Sequence, residues 1–193
     1  MRIRWATKDL LIKIVYYGPP LAGKTTNLQK LQELIPSSRR SDLVSLDTEG
    51  DRTLFFDLME VSLGKIGGLT PRVSVYTVPG QPRYKRVREV VLRGADGIVF
   101  VADSAADRLR ENLAIWYEML NYMKAMRLCD SPVLLQMNKQ DLPNSLRPSQ
   151  MQGLFKRPGK EVPSIAAEAF QGKGVKETFS QILSLVVSGG RKS

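Results

Sequence analysis

Two hydrophobic periods alternate along this chain. The run LLIKIVYY at 10–17 is almost wholly apolar and of strand length. In TTNLQKLQELI, Leu28, Leu31, Leu34 and Ile35 then recur three or four apart, the spacing that lines one face of a helix. Pro36 and the serines after it stop that helix. TLFFDLMEV at 53–61 and RVSVYTV at 72–78 read as two strands joined across GKIGG. Tyr84, Val87, Val90 and Val91 mark a short helix, and GIVFVAD at 97–103 a buried strand. Leu109, Leu113, Trp116, Tyr117, Leu120 and Met123 describe a long amphipathic helix. PVLLQMNK and VPSIAA are two further strands, and Val175, Phe179, Ile182, Leu183 and Val186 make a closing helix.

Apolar strands separated by helices imply an α/β fold: a central, mostly parallel sheet of six or seven strands with helices on both faces. In such sheets ligands sit at the carboxyl ends of the strands. No repeat or long linker divides the sequence, so residues 1–193 are expected to form a single domain.

Composition narrows the function by exclusion. At 193 residues and 42% hydrophobic, the chain can bury a sizeable core. Its apolar runs are far shorter than the roughly 18 residues of a membrane helix. No signal peptide is legible, Arg2 excludes myristoylation and the ending SGGRKS offers no prenylation cysteine. With Cys129 as its one cysteine, a reducing cytoplasm is the expected setting. The absence of histidine removes His-based triads and His zinc sites. The net charge of +10 suits an acidic partner, but the charges are scattered and aromatics are few. Neither DNA nor RNA is therefore expected as the main partner, and membrane contact without a lipid anchor is expected to be weak.

Between the first strand and the first helix stands GPPLAGKT, which satisfies G-x-x-x-x-G-K-[ST] from Gly18 through Gly23 and Lys24 to Thr25. Such a loop wraps phosphates with backbone N–H groups at a helix N-terminus. Lys24 then reaches the β- and γ-phosphates, the Thr25 hydroxyl binds Mg²⁺, and Thr26 continues the cradle. At the end of PVLLQM comes Asn138-Lys139-Gln140-Asp141. A carboxylate at Asp141 accepts from guanine N1–H and the 2-amino group, whereas adenine presents an acceptor there. Discrimination of this kind reaches roughly 10⁴ or more. The Lys139 stem can lie along the base, Asn138 can tie loops together, and the loop ending at Ala169 can offer a backbone N–H to guanine O6.

GPPLAGKTTN, DRTLFF, YTVPGQ, LRGADGIVFVADS and NKQDLPN together resemble the bacterial MglA-type small GTPases of the Ras superfamily, the polarity and gliding-motility switches; VADSAADRLREN is more distantly similar to the Arf and Sar branch. The resemblance spans about residues 8 to 188. It implies a phosphate-loop small GTPase fold, binding of GTP and GDP with Mg²⁺, and slow hydrolysis by a monomer. It also implies two switch loops that meet effectors and a Roadblock-type, MglB-like activator, with recruitment to a cell pole or the inner membrane through partners. Gln81 after Pro79-Gly80 is placed to orient the attacking water, Arg52 to act as a finger in cis, and Thr53 to sense Mg²⁺ and γ-phosphate. Thr48 competes for that last role, and Arg52 also has Asp47, Glu49 and Asp51 as neighbours to pair with.

Two features stand apart. TVPGQ carries Thr77 where nucleotide switches usually carry aspartate, and the resemblance implies that threonine here belongs to the MglA type; Asp103, ending GIVFVAD, is one nearby carboxylate that can supply charge, or a simple cap. From Arg83 to Arg93 the sequence has five basic residues against one acid, Glu89. These form either a solvated helix face or a surface for an acidic partner. The non-switch alternatives are a metabolic ATPase or kinase with Asp103 as its metal carboxylate, and a nucleotide-bound scaffold without useful turnover.

Overall fold

The computed structural model describes residues 1–46, 56–65 and 67–189. In chain order the elements are β1 (Arg2–Arg4), β2 (Asp9–Tyr17), α1 (Lys24–Leu34), β3 (Val44–Leu46), β4 (Phe56–Ser62), β5 (Thr70–Thr77), α2 (Lys85–Leu92), β6 (Gly97–Asp103), α3 (Leu109–Ala125), β7 (Val133–Asn138), α4 (Pro148–Gln152), β8 (Ser164–Ala166) and α5 (Val175–Gly189). The sheet runs β3-β4-β5-β2-β6-β7-β8, with β1 antiparallel to β2. β1 pairs with residues 9–11 of β2, and β6 pairs in parallel with residues 14–17.

Among the described residues the sheet has eight strands, where six or seven were expected. The additions are β1 and β3, three residues each. The opening MRIRWATKDLLIKI alternates charged and apolar residues as a strand does, and Arg2–Arg4 within it forms β1, exposed throughout. Helix α4 is a five-residue piece opened by Pro148, too short to show a helical period.

Period-two alternation distributes β2 between two cores. Ile12, Ile14 and Tyr16 join Leu28, Met59, Val75, Phe179 and Ile182 beneath α1 and α5. Val15 and Tyr17 join Leu92, Phe100, Trp116 and Met137 beneath α2 and α3. The Trp116 ring meets Phe100 edge-on at 5.0 Å. β6 and β7 are buried along their whole length, because helices cover both faces of a parallel sheet.

A buried polar bridge fixes where α1 begins. Asn27 and Gln136 exchange two hydrogen bonds of 2.8 Å, and Gln136 also donates to the Thr178 hydroxyl at 2.8 Å. Buried amides are costly unless paired, so this contact locks the first turn of α1 to β7 and α5. The strands β2, β5, β6, β7 and β8 are mutually parallel. Their carboxyl ends thus open on one edge, where the sequence motifs stand.

Candidate nucleotide site

A cleft of about 600 Å³ opens at that edge, lined by the loop before α1, the start of α1, β3, β4 and the turn after β5. Gly23, Lys24, Thr25 and Thr26 form one wall, and Thr77, Gly80 and Gln81 form another. The Gly23 backbone has φ 97°, and a Cβ there would lie 2.3 Å from Asn138 Nδ2. Only glycine reconciles that left-handed turn with so close an approach. Gly80 is equally constrained: a Cβ would lie 2.1 Å from the Pro20 nitrogen. The turn after β5 therefore rests directly against the phosphate loop.

Lys24 is buried, and its ammonium donates to the carbonyls of Gly18 (3.0 Å) and Pro19 (2.6 Å). Burial, with the nearby Arg88 charge adding to it, pulls the Lys24 pKa down to about 7. An anion beside this amine would restore its charge.

The carboxylate missing at position 77 is present one strand away. Asp57, on β4, is buried. Its Oδ2 accepts from the Thr25 hydroxyl at 2.6 Å and the Thr77 hydroxyl at 2.9 Å, and its Oδ1 accepts from Ser45 at 2.8 Å. A hydroxyl that gives its proton to a carboxylate keeps its lone pairs for a cation. A hard, oxygen-ligand ion such as Mg²⁺ fits this donor set, since it is usually held by few protein groups together with water and phosphate oxygens. Among the described residues there is no cluster of three His, Cys, Asp or Glu that would compete for another metal.

No motif singles out Asp57 in the sequence. The available signal was parity: in Phe56–Ser62 it shares its face with buried Met59 and Val61, a charged residue at an apolar position. Asp103 does not compensate for Thr77. Its Oδ1 accepts from the Ala105 N–H at 3.1 Å, a cap, and its Oδ2 pairs with Lys139 at 2.7 Å.

At the base side, Asn138 ties three segments together. Its Nδ2 donates to the Ala22 carbonyl at 2.8 Å, and its Oδ1 accepts from the Ala169 N–H at 2.9 Å. The Ala169 amide is thereby engaged. The sequence expects this N–H to meet guanine O6; here it donates to Asn138 Oδ1. Lys139 adopts φ 66°, the tight turn that ends β7, and Asp141 is exposed.

Gln81 is exposed at the cleft lip. Its carbonyl accepts from Arg88 at 2.7 Å, as do those of Pro79 (3.3 Å) and Gly80 (3.4 Å) more loosely. Arg88 is 1% exposed and pairs with Glu118 of α3 through two bonds of 2.8 and 3.1 Å. Partial burial raises the Glu118 pKa, yet hydrogen bonds from Arg88 and Tyr17 hold the carboxyl below its ordinary range. Arg88 thus leaves the proposed basic surface: it is a buried strut, and Arg83, Lys85 and Arg86 remain exposed. Arg52, Thr53 and Thr48 lie outside the described residues.

A phosphate loop, a strand-end turn pressed against it and a second loop bridged by Asn138 place the molecule among the phosphate-loop nucleotide-binding folds. The chain belongs to the ADP-ribosylation factor family, whose model matches residues 4–186. It is 40% identical over 193 residues to the Mutual gliding-motility protein MglA of Myxococcus xanthus (strain DK1622), covering 98% of this chain and 97% of that one. It is also similar to the GTP-binding protein ypt4 of Schizosaccharomyces pombe, 26% over 183 residues (93% and 73% of the two chains). The ADP-ribosylation factor-like protein 4D of Bos taurus matches at 31% over 142 residues (73% and 64%). The resemblance to MglA-type small GTPases holds over nearly the whole chain, and guanine nucleotide binding comes with it. Among the described residues no helix is long and apolar enough to cross a membrane.

Proposed function

We propose that residues 1–193 act as one GTP-binding switch that hydrolyses GTP slowly to GDP and signals through the cleft-lining turns. The observation that carries this reading is the contact between Gly80 and Pro20. A γ-phosphate held by the loop from Gly18 to Thr26 lies against the turn that continues through Gln81 into α2, so its presence or loss biases that segment.

The roles follow from chemistry. Lys24, recharged by the phosphates, takes the β- and γ-oxygens, and backbone N–H groups at the start of α1 take the rest. Thr25 holds Mg²⁺ with Thr53, backed by Asp57; when bound, the ion neutralises charge on the transferring group. Gln81 orients the attacking water, and Arg52 forks onto the phosphate oxygens in cis. Asp141 and Lys139 take guanine, while Asn138 holds their loop against the phosphate loop. The relative's name, a gliding-motility protein, supports a role in bacterial polarity or motility. A Roadblock-type activator and effectors would meet a cytoplasmic monomer at the exposed face of α2. The ATPase or kinase reading loses support because both Asp103 oxygens are engaged.

The test is single-turnover hydrolysis of bound GTP. Gln81→Ala is expected to retain GTP and hydrolyse it at least tenfold more slowly, and Lys24→Ala to lose nucleotide. Equal hydrolysis by the parent and Gln81→Ala proteins would remove Gln81 from the mechanism; purified protein carrying adenine nucleotide would remove the switch reading itself.

A further inference from the structure

The end of the molecule away from the nucleotide has its own chemistry. β1 and β2 form a hairpin whose turn is closed by the Lys8 N–H donating to the Trp5 carbonyl, with Lys8 at φ 53°. Trp5 is 75% exposed and Ile3 43%. Arg2, Arg4 and Lys8 are exposed beside them. Register sets Arg4 opposite Asp9 and Ile3 opposite Leu10, so basic and apolar side chains alternate between the hairpin's faces.

The acid within this patch is already satisfied. Asp9 is buried, accepts from the Thr7 hydroxyl at 2.6 Å and pairs with Arg72 at 3.1 Å. The net field at the tip is therefore positive. An exposed indole at a turn gains nothing in water, because its apolar ring still orders solvent. At a bilayer surface the same ring sits at headgroup depth, where its apolar body and N–H are both accommodated. Arginine and lysine flanking it favour an anionic lipid layer. A nucleic-acid surface would instead call for several stacking aromatics along a groove, and the tip offers one indole on a protruding turn.

We propose that the β1–β2 hairpin docks on anionic lipid bilayers, with Trp5 at headgroup depth and Arg2, Arg4 and Lys8 facing lipid phosphates. The phosphate loop follows the far end of β2, roughly 26 Å away at 3.3 Å per residue. Docking by the tip thus leaves the cleft and α2 turned toward the cell interior, open to nucleotide and partners. A contact made by one short apolar tip and a few basic side chains is reversible and sensitive to salt.

The sequence supplies its own probe. Of the two tryptophans, Trp116 is fully buried and Trp5 exposed, so a change in indole emission on adding vesicles reports Trp5. The experiment titrates the full chain with vesicles of mixed phosphatidylcholine and phosphatidylglycerol, and with phosphatidylcholine alone. The expected result is a blue shift with the anionic vesicles only, abolished by high salt. Arg2→Glu with Arg4→Glu is expected to weaken vesicle co-flotation at least about tenfold, and Trp5→Ala to remove the shift and reduce flotation. Both variants should keep the parent's guanine nucleotide affinity, which certifies their fold. No blue shift with anionic vesicles overturns the proposal. So does flotation indifferent to both variants, or an equal shift with a single-stranded oligonucleotide at the same salt.

Discussion

The Thr77 hydroxyl donates to Asp57 Oδ2 at 2.9 Å, and the Asp57 N–H donates back to Thr77 Oγ1 at 2.9 Å. A carboxylate that other switches carry on the strand before the Pro-Gly turn is thus carried here on the neighbouring antiparallel strand. It arrives at the same corner of the cleft and holds Thr25 as well.

Removing the Asp57 charge should therefore act through the metal. Asp57→Asn is expected to raise the Mg²⁺ concentration needed to slow GDP release by about 10- to 100-fold, the usual cost of losing a group that orients a ligand. Thr77→Val, which leaves the carboxylate, should have a smaller effect. The measurement is GDP release rate against Mg²⁺ concentration, and an unchanged midpoint in Asp57→Asn would show that this carboxylate only braces the hydroxyls.

Arg88 links the turn carrying Gln81 to α3. Breaking a buried ion pair leaves an uncompensated charge, so Arg88→Ala is expected to cost about 3 kcal/mol of stability in denaturant unfolding. Because the strut fixes the Gln81 carbonyl rather than the phosphates, single-turnover hydrolysis should slow while GTP affinity stays near the parent's. Glu118→Gln, which keeps an acceptor for Arg88, should fall between. Loss of GTP affinity in step with hydrolysis would assign Arg88 to general folding alone.

The lowered Lys24 pKa has a calorimetric signature. With a folded pKa of about 7 against an ordinary 10.5, the free protein holds Lys24 mostly neutral at pH 8, while the unfolded chain holds it charged. The unfolded state then binds more protons, so this group's effect on stability becomes more favourable as pH rises from about 7 towards 10.5. Nucleotide phosphates reverse the shift, so binding at pH 8 should take up close to one proton. Titration calorimetry in buffers of different ionisation enthalpy measures it; uptake near zero at pH 8 would place Lys24 as charged before binding.

The exposed basic residues of α2 and the turn before it are expected to act on encounter rates. Changing Arg83, Lys85 and Arg86 to Glu should spare GTP affinity and lower the association rate of an acidic activator, with a shallower dependence on ionic strength. Stopped-flow association with the encoded partner tests this, and equal rates with equal salt slopes would reduce the cluster to a solvated face.

The sequence by itself determined the elements whose side chains obey one period over several turns, and the motifs whose chemistry depends on local spacing. GPPLAGKT between strand and helix, and NKQD at a strand end, are local because each is built from consecutive backbone. The three-residue β3 and the five-residue α4 were not legible, because short pieces carry no period. Tertiary structure alone decided the partners of isolated polar residues. Asp57 reaches Thr25 and Thr77 through pairing across β4 and β5; Asp103 turns to Lys139; Ala169 serves Asn138; and Arg88 leaves the charged surface for Glu118. Buried charges and amides must find a partner when water is removed, and which partner lies within reach is set by strand register and helix docking, quantities that no local stretch of sequence contains.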